Sequence, residues 1–130
     1  MLIASENCSS SASKKIALGI YGEKLIATYL KKNGYSILKQ NYRIRGGEVD
    51  IIAQQNNTII FVEVKTRRNS YFNLSQVIVP AKQQAIIRTA EHFLLMHHIK
   101  NCVIRFDLAL IDNLNNVTYI PNAFTKSSKI

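Results

Sequence analysis

The chain has 130 residues, 17 of them Lys or Arg against 8 Asp or Glu, for a formal net charge of +9. This length allows one domain with a real core, and a composition 47% hydrophobic and 19% charged excludes a disordered chain. No segment has the apolar length of a membrane span or a signal peptide, and Cys8 and Cys102 lack metal-ligand spacing. These features together lead us to expect a soluble cytoplasmic protein with free thiols and an anionic partner, nucleic acid ahead of membrane.

Residues 1–12, with Ser9-Ser10-Ser11 next to Cys8, read as a flexible arm. A helix is expected from about Ser13 to Asn33, with Ser13 as N-cap and Gly34 as C-cap, and Leu18, Tyr21, Leu25, Ile26 and Tyr29 as its apolar stripe. Strands follow at Tyr35–Arg45, ending in the Gly46-Gly47 turn, at Glu48–Ala53 and at Thr58–Lys65. Residues 66–79 read as a basic polar loop that regains strand character at Gln76–Val79. Pro80 suits the first position of a second helix, Ala81–His97, with Ile86, Ala90, Phe93 and Leu94 inward. Val103–Ile111 and Val117–Ile120 form a last hairpin. The order is α-β-β-β-α-β-β: an arm at 1–12, a domain at 13–122 and a basic tail at 123–130.

The central hairpin carries the chemistry. Three of the eight acids, Glu48, Asp50 and Glu63, fall within sixteen residues of otherwise apolar strand. A buried carboxylate costs several kcal/mol unless a cation or donor meets it. With Asn56-Asn57 as a two-residue loop, residues whose numbers sum to 113 pair, setting Asp50 opposite Glu63 and Glu48 opposite Lys65. Two opposed carboxylates repel, yet Glu63 sits between Val62 and Val64, where an apolar residue would serve as well. Hard oxygen ligands of this kind suit Mg²⁺ (or Mn²⁺), with Lys65 holding a water or phosphate oxygen. The blander reading is a Glu–Lys pair at a strand edge with Asp50 solvated.

Gly22-Glu23, Asn41-Tyr42-Arg43, Gly47-Glu48-Val49-Asp50-Ile51-Ile52, Phe61-Val62-Glu63-Val64-Lys65-Thr66-Arg67, Lys82 and Arg105-Phe106-Asp107 occur in this order. In these motifs the chain resembles, over about residues 16–120, the YraN-type family of small bacterial proteins, similar to archaeal Holliday-junction resolvases. The resemblance implies a restriction-endonuclease-like three-layer α/β fold, a mixed sheet flanked by helices, with a PD-(D/E)xK nuclease site. Asp50 matches the first acid of that motif, Glu63 the second, Lys65 the lysine and Glu23 the first-helix acid. Val49 stands where the motif's name has proline.

On this reading Asp50, Glu63 and the Val64 carbonyl would bind the metal for hydrolysis of DNA, with branched or junction DNA among the candidate substrates. Glu23 is either an outer ligand or a solvated residue, and Glu48 either a further ligand or, preferably, the partner of Lys65. Arg43, Arg45, Arg67, Arg68 and Lys82 are candidate phosphate contacts. Gln76 could enter the site by position, and Tyr42 and Tyr71 could stack on a base or simply pack. Arg105 and Asp107 are expected to pair structurally, and the three histidines lack chelating spacing. A homodimer is a possible state, since resolvase-like relatives work as dimers. The competing readings are a non-catalytic nucleic-acid-binding protein on a nuclease scaffold, a nuclease that needs a partner, and a protein-interaction module.

Overall fold

Apolar residues on both sides of successive strands require cover on both faces of a sheet, and the structure supplies it with one helix on each. This computed structural model describes residues 11–66 and 77–126, with side chains from Gly19 onward. The elements are α1 (Ser11–Lys32), β1 (Ser36–Ile44), β2 (Gly47–Gln55), β3 (Thr58–Thr66), α2 (Pro80–Met96), β4 (Val103–Ile111) and β5 (Val117–Phe124). The five strands lie in the order β1-β2-β3-β4-β5. All neighbours are antiparallel except β3 and β4, which run parallel and are joined through α2, since a parallel pair needs a long crossover. The expected element order and three-layer architecture are those observed. No described helix is long and apolar enough to cross a membrane.

The core alternates along the strands. Ile51, Ala53, Ile60, Val62, Ala109 and Ile111 pack with Ile26, Ala27 and Leu30 of α1. Ile52, Ile59, Phe61, Phe106, Leu108 and Leu110 pack with Ile86, Ile87, Ala90 and Phe93 of α2. Each fully buried aliphatic or aromatic side chain contributes roughly 1.5–3 kcal/mol, so the three inner strands β2, β3 and β4, covered on both faces, anchor the domain.

Gly34 closes α1 at φ 90°, and the Tyr35 amide bonds back to the Leu30 carbonyl, as a C-cap glycine permits. Pro80 opens α2 as expected. The register summing to 113 holds from Gln55↔Thr58 to Ile51↔Val62, with Asn56 at φ 54° in the turn. Three expectations need correcting. The stripe of α1 runs through Gly22, Ile26 and Leu30, whereas Tyr21 and Tyr29 are exposed. Helix phase is set by Gly22, which comes so close to β3 that a Cβ there would lie 2.9 Å from Thr66 Cγ2. Residues 77–79 are not strand: Val77 and Ile78 are buried in the α2-side core and lead directly into α2. β5 continues to Phe124, which stacks on Phe106, two residues into the segment read as a tail.

Candidate metal and phosphate site

Asp50 lies where two strand pairings are interrupted. On one side the β1–β2 ladder runs Gln40↔Ile51 and then Tyr42↔Val49, and on the other the β2–β3 ladder stops at Ile51↔Val62. Face alternation slips at this point, because Val49 packs with the α2-side core while Ile51 packs with α1 and Ile52 with α2. Asn41, the residue left between the β1 pairs, takes a left-handed φ of 53°, which Asn tolerates better than most residues. The irregularity brings Asp50 into the field of Glu23 on α1 and of Lys82 on α2, across both layers.

Glu63 follows regular strand geometry. Phe61 on β3 faces α2 and Val62 faces α1, so Glu63 and Lys65 fall on the α2 side. Asp50 and Glu63 are nearly inaccessible, at 8% and 4% exposure. The Val64 amide donates to Asp50 Oδ2 at 2.8 Å, occupying a backbone donor where the ladder has ended. Lys65 Nζ lies 3.8 Å and Lys82 Nζ 3.2 Å from Glu63 Oε2.

The electrostatics follow from this crowding. Burial, and then the neighbouring Asp50 carboxylate, push Glu63 up to about 7 against the pull of Lys82 and Lys65. Burial also raises Asp50, opposed chiefly by the Val64 amide. Glu23 is raised by its partial burial and by Asp50, and a hydrogen bond with Asn41 works the other way. The side chains of Asp50 and Glu63 meet, with Lys65 beside Glu63, although the expected backbone pairing Asp50↔Glu63 lies one step past the last ladder pair. Glu23 joins them as an outer neighbour.

Among the described residues, no three His, Cys, Asp or Glu side chains lie close enough to form a chelate by themselves. Asp50 and Glu63 are therefore a two-carboxylate set. Two hard, buried oxygen donors of like charge fit a Mg²⁺ or Mn²⁺ ion that keeps waters and substrate oxygens in its other positions.

Glu48 is a correction. It does not pair with Lys65, because the β2–β3 ladder ends before reaching it; instead it ion-pairs with Arg43 at 2.9 Å, its cross-strand neighbour on β1. Arg45 is exposed at the β1–β2 turn. Arg67, Arg68, Tyr71 and Gln76 lie outside the described residues. Tyr42 packs edge-on against Phe93 and hydrogen-bonds His92 Nδ1 at 2.7 Å.

Asn41 opens the Asn41-Tyr42-Arg43 motif, and its signal in the sequence is an Asn inside an otherwise regular strand. Arg105 and Asp107 do pair, at 2.7 Å, within a buried network in which Asp107 also accepts from Tyr119 at 2.5 Å and from the Asn122 amide at 2.9 Å. This network holds β4 to β5 and lies apart from the carboxylate cluster.

Residues 22–111 match the model of the uncharacterised protein family UPF0102. The chain is 44% identical over 116 residues to a UPF0102 protein of Caldicellulosiruptor saccharolyticus, covering 85% of this chain and 98% of the relative. It is 40% identical over 111 residues to one of Alkaliphilus metalliredigens, covering 83% and 97%. A third, of Geobacter metallireducens, is 40% identical over 112 residues, covering 83% and 92%. The matched span holds Glu23, Asn41, Asp50, Glu63, Lys65 and Lys82.

Proposed function

The chain belongs to the UPF0102 family, and for it we propose metal-dependent hydrolysis of DNA phosphodiesters, of the PD-(D/E)xK type, with branched or junction DNA among its substrates. The observation that carries this reading is the pair of buried carboxylates, Asp50 and Glu63, converging with the ammonium groups of Lys65 and Lys82 at an interruption of the sheet. Burying like charges together is unfavourable for a scaffold and useful for a site that receives a divalent cation.

Asp50 and Glu63 would hold the ion, which when bound supplies charge stabilisation at the phosphate and a more acidic water. Val64 contributes through its amide, which fixes the orientation of Asp50. Lys65, the exposed end of the pair on β3, is placed to orient the attacking water or to meet charge developing on the phosphate. Glu23, hydrogen-bonded to Asn41, is raised by burial and then by the charge of Asp50 beside it. The net charge of +9 favours a polyanionic substrate.

A cleavage panel of single-stranded, duplex, flap and four-way DNA with Mg²⁺ or Mn²⁺, with Glu63→Gln and Lys65→Ala as blanks, tests this reading. Metal-dependent cleavage lost in both variants supports it, and cleavage unchanged in both removes the site. One observation favours a second reading, a nucleic-acid-binding scaffold without turnover: the ammonium groups of Lys65 and Lys82 lie beside Glu63 as protein-borne counter-charges. Calorimetry of Mn²⁺ binding to wild type and Asp50→Ala separates the two, since a pure scaffold has no metal affinity to lose.

A further inference from the structure

Next to the carboxylates, on the α2 side, lies a cleft of about 350 Å³. Its aliphatic lining is Ile44, Ala85 and Ile86, and its charged lining is Arg43, Glu48 and Lys82. Gly47 completes it, and a Cβ there would come within 2.3 Å of Thr89 Oγ1 and 2.8 Å of the Ala85 carbonyl. The close approach of β2 to α2 thus leaves the cleft bounded by backbone at that end. Lys82 belongs to both features: it lines the cleft, and its Nζ is 3.2 Å from Glu63.

We propose that this cleft receives one unpaired nucleotide of a DNA strand adjacent to the bond being cut, which makes DNA with a single-stranded arm the preferred substrate class. The inference rests on the hydrolytic reading for its orientation, and on the cleft alone for binding. The volume is at the small end for ligand pockets, roughly 300–1,000 Å³, enough for a nucleotide and far too small for a duplex. A paired strand offers only its phosphate ribbon, for which an aliphatic floor has no use. A splayed base can cover that floor while its phosphate meets cations at the rim.

Arg43 suits the rim. It is 71% exposed, and Glu48 holds it through Nε, which leaves the two terminal NH2 groups to meet a phosphate. Lys82, between cleft and carboxylates, is placed for the phosphate shared by the bound nucleotide and the scissile bond. Nothing in the aliphatic floor reads base edges, so the preference is for unpaired structure and not for sequence.

The test is equilibrium binding in EDTA, where no cleavage occurs. It compares a labelled blunt duplex with the same duplex carrying a single-stranded arm, on wild type, Ala85→Leu and Arg43→Ala. Wild type should favour the armed DNA by roughly fivefold, the scale that covering one base face with aliphatic carbon supports. Ala85→Leu fills the cleft from α2 and should bring the ratio near one, its fold being checked by its melting temperature. Arg43→Ala, at an exposed position, should lower the same ratio and decides alone if Ala85→Leu does not fold.

A wild-type ratio of one, or a ratio untouched in every folded variant, overturns the proposal. The readout is independent of hydrolysis. A protein that shows the ratio and never cuts DNA keeps the cleft and loses the nuclease reading, whereas one that cuts without the ratio does the reverse.

Discussion

Lys82, from the first turn of α2, lies closer to Glu63 than Lys65 does, 3.2 Å against 3.8 Å, although Lys65 is only two residues from Glu63 on the same strand. A cation in the first turn of a helix opposes the helix dipole, and here the buried carboxylate offsets that cost. Lys82 and a bound divalent ion compete for the same negative charge. At pH 8, Lys82→Met should therefore bind Mn²⁺ several-fold more tightly than wild type by calorimetry, while losing affinity for DNA. Weaker Mn²⁺ binding by this variant would mean that Lys82 organises the carboxylates and does not compete with the ion.

The pH dependence has a definite sign. In the unfolded chain Glu63 titrates near 4.5, and in the folded protein near 7. Between those values the folded state holds a proton that the unfolded state has released, so the stability contributed by Glu63 falls as pH rises through this window and is constant above it. Asp50 and Glu23 are shifted in the same direction. The expected result is that Glu63→Gln, in EDTA, melts close to wild type below pH 4.5 and on the order of a few degrees higher above pH 7. Melting curves at pH 4, 5, 6, 7 and 8 check this, and a variant less stable than wild type at pH 8 would contradict the origin of the shift in burial.

The same variant links stability to activity. Glu63→Gln keeps size and shape, loses the charge, and should lower Mg²⁺-dependent cleavage by about 100-fold or more. Added Mg²⁺ should raise the melting temperature of wild type at pH 8 and leave that of Glu63→Gln unchanged. An equal Mg²⁺ effect on both proteins would place the ion elsewhere.

How much of this was legible in the sequence differs from residue to residue. The hairpin register from Gln55↔Thr58 to Ile51↔Val62 is legible in Asn56-Asn57 and the two-residue period, and it brings Asp50 and Glu63 to the end of the ladder, where their side chains meet without being a ladder pair. The irregularity at Asp50 is not legible. It depends on Asn41, a residue on another strand, adopting a left-handed conformation, and the pattern of β2 alone carries no sign of it. Glu48 was assigned to Lys65 by extending a ladder that the same irregularity ends. The phase of α1 is not legible from periodicity, because Tyr21 and Tyr29 count as apolar there, whereas Gly22, which does not, makes the close contact. Lys82 is legible as a candidate phosphate contact, whereas its distance to Glu63 requires tertiary structure.

The Asp107 network should behave as structure and not as site. Asp107 is fully buried and accepts from the Arg105 guanidinium, the Tyr119 hydroxyl and the Asn122 amide. Arg105 in turn donates to the Tyr35 hydroxyl at 3.0 Å, which extends the network to the entry of β1. Asp107→Ala removes the acceptor shared by three donors and should destabilise the domain by about 3–5 kcal/mol, as breaking a buried pair does. Arg105→Lys should recover little, because an ammonium cannot reproduce the forked contact. Urea denaturation measures both. A loss under about 1 kcal/mol for Asp107→Ala would show the network to be dispensable.

Gly46 and Gly47 look interchangeable in the sequence and should prove different on substitution. Gly46 sits at φ 89° with open space around its Cα, so Gly46→Ala should cost about 1 kcal/mol in backbone strain and leave the site undisturbed. Gly47 is not in the left-handed region; its constraint is the helix beside it, where an added Cβ would meet Thr89 Oγ1 and the Ala85 carbonyl. Thr89 is fully buried and its hydroxyl donates to that carbonyl at 2.7 Å, so neither atom can retreat cheaply. Gly47→Ala should therefore cost about 1–3 kcal/mol as an overpacking change. It should also displace α2, carrying Lys82 away from Glu63 and lowering cleavage beyond what the stability loss accounts for. Equal effects of the two substitutions on urea midpoint and on cleavage would mean that the approach of β2 to α2 does not position Lys82.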